Sequence, residues 1–286
     1  MRKISFLLVL FSASLLQAQF IPVPNGSFES PPTDFASPSI AAWQKTPQPA
    51  YWDTTTDGAW TNLMGEFLNT SNGQPDHIIN IDGSQAAFFF SNPEVGVFQQ
   101  LSNTFAVGKS YTLTVGLTTS SEEPLTQGAT LQLSLYYLSG VTNMNTVAMT
   151  TVTYDTNVFT NTAYLLDFQV NAPAVQATDP WAGQPIGIQL LTTVSFALAG
   201  GVWDADNVRL TDGPAILSPS VNKNQTSFTV SSYPGLVFNV LATSDLSLPP
   251  ANWTSLGSIT NSTGQTNFTD VTPIQNQRFY LLQQAP

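Results

Sequence analysis

Aromatic side chains with polar neighbours are the most prominent candidates for binding chemistry in this sequence. One short segment rich in Pro, Thr and Asp contains Tyr51, Trp52, Asp53 and Trp60, and this composition is typical of loops. Aromatic faces pack against the CH groups of sugar rings, while carboxylates accept hydrogen bonds from hydroxyls. Trp181 lies in a second loop-like segment. We predict ligand contacts at these five residues; the alternative is that the rings close one end of a core.

Groups that could catalyse hydrolysis are scarce. The chain has one histidine, His77, and no cysteine, which excludes thiol nucleophiles and histidine-rich metal sites. Glu122 and Glu123 precede Pro124 in a turn-like stretch, where carboxylates are usually solvated. Two carboxylates contributed by distant strands would be the remaining route to an enzyme, a glycosidase. We predict that the protein is not an enzyme.

Short alternating segments must position these groups. Residues 110–117, 129–136 and 145–153 alternate apolar residues with Thr, Ser or Gln and are flanked by turn formers. This pattern predicts β-strands, and a succession of them predicts an all-β sandwich or jelly roll. A Pro-, Ser- and Asn-rich stretch begins near residue 213. We therefore predict a large domain over residues 19–212, then a linker and a small β-sandwich over residues 213–286.

The first residues predict export. Arg2 and Lys3 precede an apolar run over residues 4–16, and the small residue Ala18 follows shortly after. This order is typical of a secretory signal peptide, here residues 1–18. The run is too short to span a bilayer as a helix, and no later apolar run reaches about 18 residues. We expect a protein that is secreted or held at the cell surface, without a membrane span.

The charge balance excludes one class of partner. The chain carries 7 basic and 18 acidic residues, for a net charge of −11, and only 9% of its residues are charged. Binding to nucleic acid depends on neutralising phosphates with Lys and Arg, and here acidic residues outnumber basic ones by 18 to 7. With so few charged residues, the surface must consist largely of Thr, Ser, Asn and Gln, which suits contact with neutral polysaccharides or other glycans.

Several motifs over residues 20–212 resemble the galactose-binding-like jelly rolls of the carbohydrate-binding-module type. The first is Asn25-Gly26-x-Phe28-Glu29 near the expected mature N-terminus, and the last is Trp203-Asp-Ala-Asp206-Asn-Val-Arg-Leu210. Between them lie Gly83-Ser-Gln-Ala-Ala-Phe88, Phe98-Gln-Gln-Leu101 and Phe105-x-x-Gly108-Lys-Ser-Tyr111. The C-terminal part resembles small β-sandwich tails of secreted verrucomicrobial-type bacterial proteins.

The resemblance implies a structural calcium ion. Modules of this kind often hold one calcium between their first and last strands, and the matching residues here are Glu29 and Asp206. Oxygen ligands from carboxylates and carbonyls are those that calcium prefers. Asp204 is the alternative ligand if the register is shifted by two residues.

Together these observations predict a secreted, non-catalytic carbohydrate-binding or cell-surface adhesion protein. A structural exoprotein without a small ligand is the alternative. A glycan-cleaving enzyme that uses two carboxylates is the second alternative.

Overall fold

The fold is almost entirely β-sheet. The computed structural model describes residues 19–107, 109–213, 215–222, 225–232, 235–263, 265–272 and 278–284, and the predicted signal segment, residues 1–18, lies outside them. Three single turns of 3-10 helix occur within these residues, at Trp60–Leu63, Phe196–Leu198 and Pro250–Asn252. No helix in the described part of the chain is long and apolar enough to cross a membrane.

The strands are numbered in chain order. They are β1 (Gln19–Ile21), β2 (Ala36–Ser37), β3 (Gln44–Lys45), β4 (Met64–Leu68), β5 (Gln85–Phe90), β6 (Gly96–Thr104), β7 (Ser110–Thr119), β8 (Thr130–Ser139), β9 (Asn143–Thr153), β10 (Leu166–Ala172), β11 (Pro185–Thr192), β12 (Val202–Gly213), β13 (Ala215–Asn222), β14 (Gln225–Ser231), β15 (Leu236–Thr243), β16 (Thr254–Asn261), β17 (Gln265–Asp270) and β18 (Phe279–Gln284).

Two compact units contain these strands, Phe20–Ala215 and Ile216–Pro286. The large unit has a seven-stranded sheet in the order β10-β7-β12-β5-β4-β2, with β1 also paired to β12, and a five-stranded sheet in the order β3-β6-β11-β8-β9. The small unit has two three-stranded sheets, β13-β14-β17 and β16-β15-β18. The prediction of an all-β jelly-roll sandwich followed by a small β-sandwich is confirmed.

Alternation along the strands builds the core of the large unit. Successive side chains of a strand point to opposite faces of its sheet, so every second residue can face the partner sheet. The inward residues of β7, β8 and β11 are fully buried together in one apolar core: Leu113, Val115, Leu117, Leu131, Leu133, Leu135, Ile186, Ile188 and Leu190. The small unit has its own core, with Phe228, Val230, Phe238, Val240 and Leu282 buried in it.

Strand β12 is buried on both faces. Trp203 and Ala205 belong to the core between the sheets, so alternation places Asp204 and Asp206 on the opposite face, called here the outer face of the seven-stranded sheet. Ile78, Ala86 and Leu165 form a separate buried cluster, and Leu165 lies over Gly116, the partner of Asp206 in β7. Loops that cross the outer face therefore exclude water from the acidic residues of β12.

Candidate functional site

The most unusual carboxyl group of the structure is that of Asp204. In register, Asp204 lies between Phe88 of β5 and Thr118 of β7. The residue is only 5% exposed. Burial raises the pKa of Asp204 well above its usual range, and the negative charge of Asp76 raises it further. Burial favours the protonated form of such a carboxyl group, because water is not available to solvate the charged form.

Asp76 is fixed beside Asp204 by the end of β7. Its carboxylate accepts hydrogen bonds from the Ser120 hydroxyl, at 3.1 Å, and from the Ser121 hydroxyl, at 2.6 Å. The Ser121 backbone N–H donates a third hydrogen bond to it. Asp76 has a φ of 58°, a left-handed conformation that is uncommon for a residue with a side chain. These contacts fasten the loop between β4 and β5 to the outer face.

His77 follows Asp76 in the same loop. Its Nδ1 lies 2.6 Å from the carbonyl oxygen of Thr70, so Nδ1 carries the hydrogen and donates it. The single histidine of the chain therefore helps to shape this loop.

Two phenylalanines lie next to Asp204 on the outer face. Phe88 is its direct cross-strand partner, and alternation places Phe90 on the same face. The two rings meet edge to face, with centroids 6.1 Å apart. Gly65 makes room for them, since a Cβ atom there would lie 2.7 Å from two ring carbons of Phe88. Both rings are half-buried.

The arrangement of Asp204, Phe88 and Phe90 can perform one kind of chemistry well. A protonated carboxyl in an apolar environment is a general acid, and aromatic faces attract a cation that lies close to them. Proton transfer to a carbon–carbon double bond creates such a cation. These groups therefore have the chemistry needed to protonate a double bond and to contact the cation that forms.

Three of the predicted ligand-binding aromatics, Tyr51, Trp52 and Trp60, form one contiguous group, but not all three rings are exposed. Trp60 contacts both Tyr51 and Trp52 edge to face, with centroids 6.3 and 5.4 Å away. Trp60 is 3% exposed, and its indole N–H donates to the Thr46 carbonyl, so it is a core residue and cannot serve as an exposed platform. Tyr51 is 39% exposed and contacts Phe196, a residue that was not among the ligand-binding residues predicted from the sequence.

Asp53 and Trp181 differ from this group. The Oδ1 atom of Asp53 accepts hydrogen bonds from the backbone N–H and the hydroxyl of Thr55, so the carboxylate shapes its own turn. These bonds lower the pKa of Asp53. Trp181 lies beside the C-terminal end of β6, where the Gly183 N–H donates to the Phe105 carbonyl. Tyr51 lies at the other end of β6, and the structure does not bring Trp181 and Tyr51 together.

The predicted metal ligands lie near each other, but they are already partly engaged. Glu29 accepts hydrogen bonds from the backbone N–H groups of Ser84 and Gln85 and from the Ser84 hydroxyl. Asp206 accepts one from the Asp82 N–H through Oδ2, at 2.6 Å, while its Oδ1 is buried and has no hydrogen-bond partner among the described residues.

The surroundings of Asp206 would accept a positive charge. Burial raises the pKa of Asp206 to about 7, although the nearby backbone N–H groups of Asp82 and Asn207 favour its charged form, and the charges of Asp82 and Glu29 raise the pKa further. No set of three or more His, Cys, Asp or Glu side chains in the described residues is arranged around one metal position. A calcium ion here would therefore need backbone carbonyls or water as additional ligands.

Comparison with known families shows which family this chain belongs to. The family model HpiC1-like, described as HpiC1 cyclase, matches residues 19–211, which is more than half of the chain. The chain belongs to the HpiC1 cyclase family. A search of curated proteins by sequence gave no match.

Solved structures agree with this fold for the HpiC1-family region. The Stig cyclase Fisc from Fischerella sp. TAU, in complex with (3Z)-3-(1-methyl-2-pyrrolidinylidene)-3H-indole, is 23% identical; the match covers 70% of this chain and 100% of that one, with a TM-score of 0.51. A cyclase from Fischerella sp. TAU in complex with 4-(1H-indol-3-yl)butan-2-one is 23% identical, over 69% of this chain and 99% of that one, with a TM-score of 0.50. A family 22 carbohydrate-binding module of Clostridium thermocellum Xyn10B is more distant, at 16% identity over 66% of this chain and 96% of that one, with a TM-score of 0.36.

Membership of the HpiC1 family corrects the functional prediction. The expectation of a non-catalytic carbohydrate-binding or adhesion protein is wrong, because the family that matches residues 19–211 is one of cyclases. The expectation that the protein is not an enzyme is wrong for the same reason. It rested on the absence of hydrolytic groups, and a cyclase does not need them.

Sequence reasoning missed three residues of the candidate site. It considered Asp204 only as a substitute metal ligand, and it treated Phe88 as part of a fold motif and passed over Phe90. One signal was present: Asp204 and Asp206 alternate with Trp203 and Ala205 in a segment that reads as a strand. Acidic residues at alternate positions of a central strand indicate a buried polar face as well as a metal site.

Proposed function

We propose that this protein is a cyclase in which Asp204 donates a proton to a small unsaturated substrate and starts ring closure. The observation that carries the proposal is the buried Asp204 carboxyl beside Phe88, within the region that matches the HpiC1 cyclase model. The indole compounds bound to the similar Fischerella cyclases support an aromatic, apolar substrate with an indole ring.

The reaction balances without a co-reactant. Asp204 transfers its proton to one carbon of a double bond, which leaves a carbocation on the other carbon. The π electrons of a second double bond or of the indole ring attack this cation, and a new carbon–carbon bond closes the ring. Loss of a proton to the Asp204 carboxylate restores the double bond or the aromatic ring and the acid. The product is an isomer of the substrate.

The neighbours of Asp204 support each step. Asp76 disfavours the charged form of Asp204, so the proton is held ready and its return is favoured. Phe88 and Phe90 offer ring faces for the carbocation, and such contacts are worth more where water is excluded. The covering cluster of Ile78, Ala86 and Leu165 limits access of water that would trap the cation as an alcohol.

We also propose that Tyr51 and Trp52, together with Phe196, help to select the substrate. They lie where β5 ends and β12 begins, since the Tyr51 hydroxyl donates to the carbonyl of Pro93, just after β5. Phe196 is in the turn of 3-10 helix that precedes β12. This end of the sandwich is a few residues from Phe88 and Asp204, and its exposed rings suit an aromatic substrate.

A calcium ion at Glu29 and Asp206 is a further part of the proposal. The free Oδ1 atom of Asp206 and the repulsion between Asp206 and Glu29 support it. When bound, the ion would supply positive charge that ties the segment after β1 to β12. Its role would be structural, since the proposed proton donor is Asp204 and the proton transfer involves no calcium ligand.

The test uses a panel of indoles that carry an alkene-containing side chain. The wild-type protein should convert at least one of them to an isomer of equal mass in H2O. The product formed in D2O should be heavier by at least one deuterium, because the Asp204 proton exchanges with solvent. Asp204→Asn should reduce the rate at least 100-fold, as expected for loss of a general acid.

Asp167→Asn is the matched control. Asp167 is an exposed carboxylate on β10 that pairs with Arg209, so its loss should leave the rate within twofold. An Asp204→Asn protein that is folded and fully active would refute the proposed acid. A wild-type protein that neither binds nor converts any member of the panel would refute the proposed substrate class.

A further inference from the structure

Residues 71–75 form an exposed tip on the loop that joins β4 to β5. The base of this tip is fixed by two contacts of Thr70. Its hydroxyl donates a hydrogen bond to the Pro75 carbonyl at 2.9 Å, and its carbonyl accepts one from Nδ1 of His77. The tip is therefore held in place at its base, while its own residues stay in contact with water.

The turn at the tip contains the pair Asn72-Gly73. A hydrogen bond from the Gln74 N–H to the Ser71 carbonyl, at 3.0 Å, closes the turn. In the part of the chain that the structure describes, neither the Asn72 side chain nor the Gly73 N–H makes a hydrogen bond. Gly73 has a φ of 85°, and apart from its chain neighbours no atom lies within 4 Å of the position that a Cβ would take. Since glycine has no Cβ, its nitrogen can approach the Asn72 side chain closely.

The other Asn-Gly pair of the sequence, Asn25-Gly26, is held by hydrogen bonds. Asn25 Nδ2 donates to two backbone carbonyls and to the Glu66 carboxylate, at 2.8–3.0 Å. The Gly26 N–H donates to the Val23 carbonyl at 3.1 Å. A Cβ atom at Gly26 would lie 2.6 Å from the Val208 carbonyl oxygen, so the chain is closely packed here. A reaction between the Asn25 side chain and the Gly26 nitrogen would have to break these contacts.

We propose that Asn72 is a site of spontaneous deamidation, in which water replaces the nitrogen of the side-chain amide. Asparagine is one of the chemically labile residues of proteins. The Gly73 nitrogen attacks Cγ of Asn72 and loses its proton, and the bond from Cγ to the side-chain nitrogen breaks. That nitrogen leaves as ammonia, and a cyclic imide remains. Water then opens the imide at either carbonyl, which leaves aspartate or isoaspartate at this position. No oxidant or reductant takes part.

Deamidation at the tip would change the loop in a defined way. The new carboxylate is ionised at neutral pH, so each event adds one negative charge to the loop that also carries Asp76. The contacts of Thr70 at the base do not involve Asn72 or Gly73, so the modified protein should stay folded. This inference does not depend on the proposed cyclase activity, and each can fail without the other.

Incubation of the complete mature protein at pH 8, in water enriched in heavy oxygen, tests the site. Peptide mass mapping over time gives the fraction of each asparagine that is converted, and the heavy label marks the conversions that occur during the incubation. In the folded protein, Asn72 should be converted at least tenfold faster than Asn25. In concentrated urea the fold no longer holds Asn25, and the two asparagines should react at rates within threefold of each other.

Asn72→Gln is the matched variant. Glutamine keeps an amide at the tip, but its extra methylene group requires a larger ring that forms more slowly. The heavy label should therefore disappear from this peptide. Equal rates at Asn25 and Asn72 in the folded protein would overturn the proposal. So would an Asn72 that reacts more than tenfold slower in the folded protein than in urea, since the folded turn would then keep the two groups apart.

Discussion

Replacement of Glu66 by glutamine should remove much of the pH dependence of folding stability. Glu66 lies on β4 and is fully buried. Its Oε1 accepts a hydrogen bond from Asn25 Nδ2 at 2.8 Å, and its Oε2 is buried without a partner among the described residues. Burial raises the pKa of Glu66 from 4.5 to about 7; the bond from Asn25 opposes this, and the charge of Glu29 adds to it.

The sign and size of the effect follow from proton linkage. Between pH 4.5 and 7 the folded state holds a proton on Glu66 that the unfolded chain has lost. The free energy of unfolding therefore falls as the pH rises through this range. Each pKa unit is worth about 1.4 kcal/mol, so the whole shift corresponds to about 3 kcal/mol. The glutamine side chain of Glu66→Gln has no proton to lose, and its amide oxygen can still accept from Asn25.

Urea unfolding at pH 4.5 and pH 8, with a chelator present to remove cations, measures the effect. From the lower to the higher pH, the wild type should lose about 3 kcal/mol more stability than Glu66→Gln. Glu94→Gln, at an exposed carboxylate, is the control and should follow the wild type. The reasoning is refuted if Glu66→Gln and the wild type show the same dependence on pH.

Three further predictions concern the metal site, the aromatic group and the N-terminus. A chelator should lower the melting temperature of the wild type, because an ion bound only to the folded state stabilises it by about 2.7 kcal/mol at a hundredfold excess over Kd. The melting temperatures of Glu29→Ala and Asp206→Ala should not change when the chelator is added. An unchanged wild-type melting temperature after complete metal removal would contradict the site. Trp60→Ala should destabilise the fold by about 3–5 kcal/mol in denaturant unfolding, as for other buried aromatics. Trp52→Ala should destabilise it by less, because Trp52 is only half-buried. Equal losses of stability in the two variants would contradict this difference in burial. Mass spectrometry of exported protein should find Gln19 at or near the N-terminus, and an intact Met1 would contradict the predicted signal.

Period-two alternation made most of the large sandwich predictable. The residues that face the core on β7 and β8 are those that the pattern selects, such as Val115 and Leu133. Alternation could not assign Trp60, because the segment before it has the composition of a loop. The indole enters the core through a single turn of 3-10 helix and a hydrogen bond to Thr46. Neither the 3-10 turn nor this hydrogen bond produces a repeating pattern in the sequence from which it could be predicted.

The role of Asp204 was hidden for a different reason. Alternation shows that Asp204 and Asp206 share one face of β12, but it does not show whether water reaches that face. The answer depends on the loop that carries Asp76 and Ile78, which is more than 120 residues away in the chain. An exposed carboxylate on this strand would be a metal ligand or a solubilising charge. The same carboxyl group under a covering loop, next to Asp76 and Phe88, is the proton donor that we propose. The chemistry of Asp204 therefore depends on whether a distant loop covers it. The sequence pattern of the strand alone is compatible with an exposed carboxylate and with a buried acid.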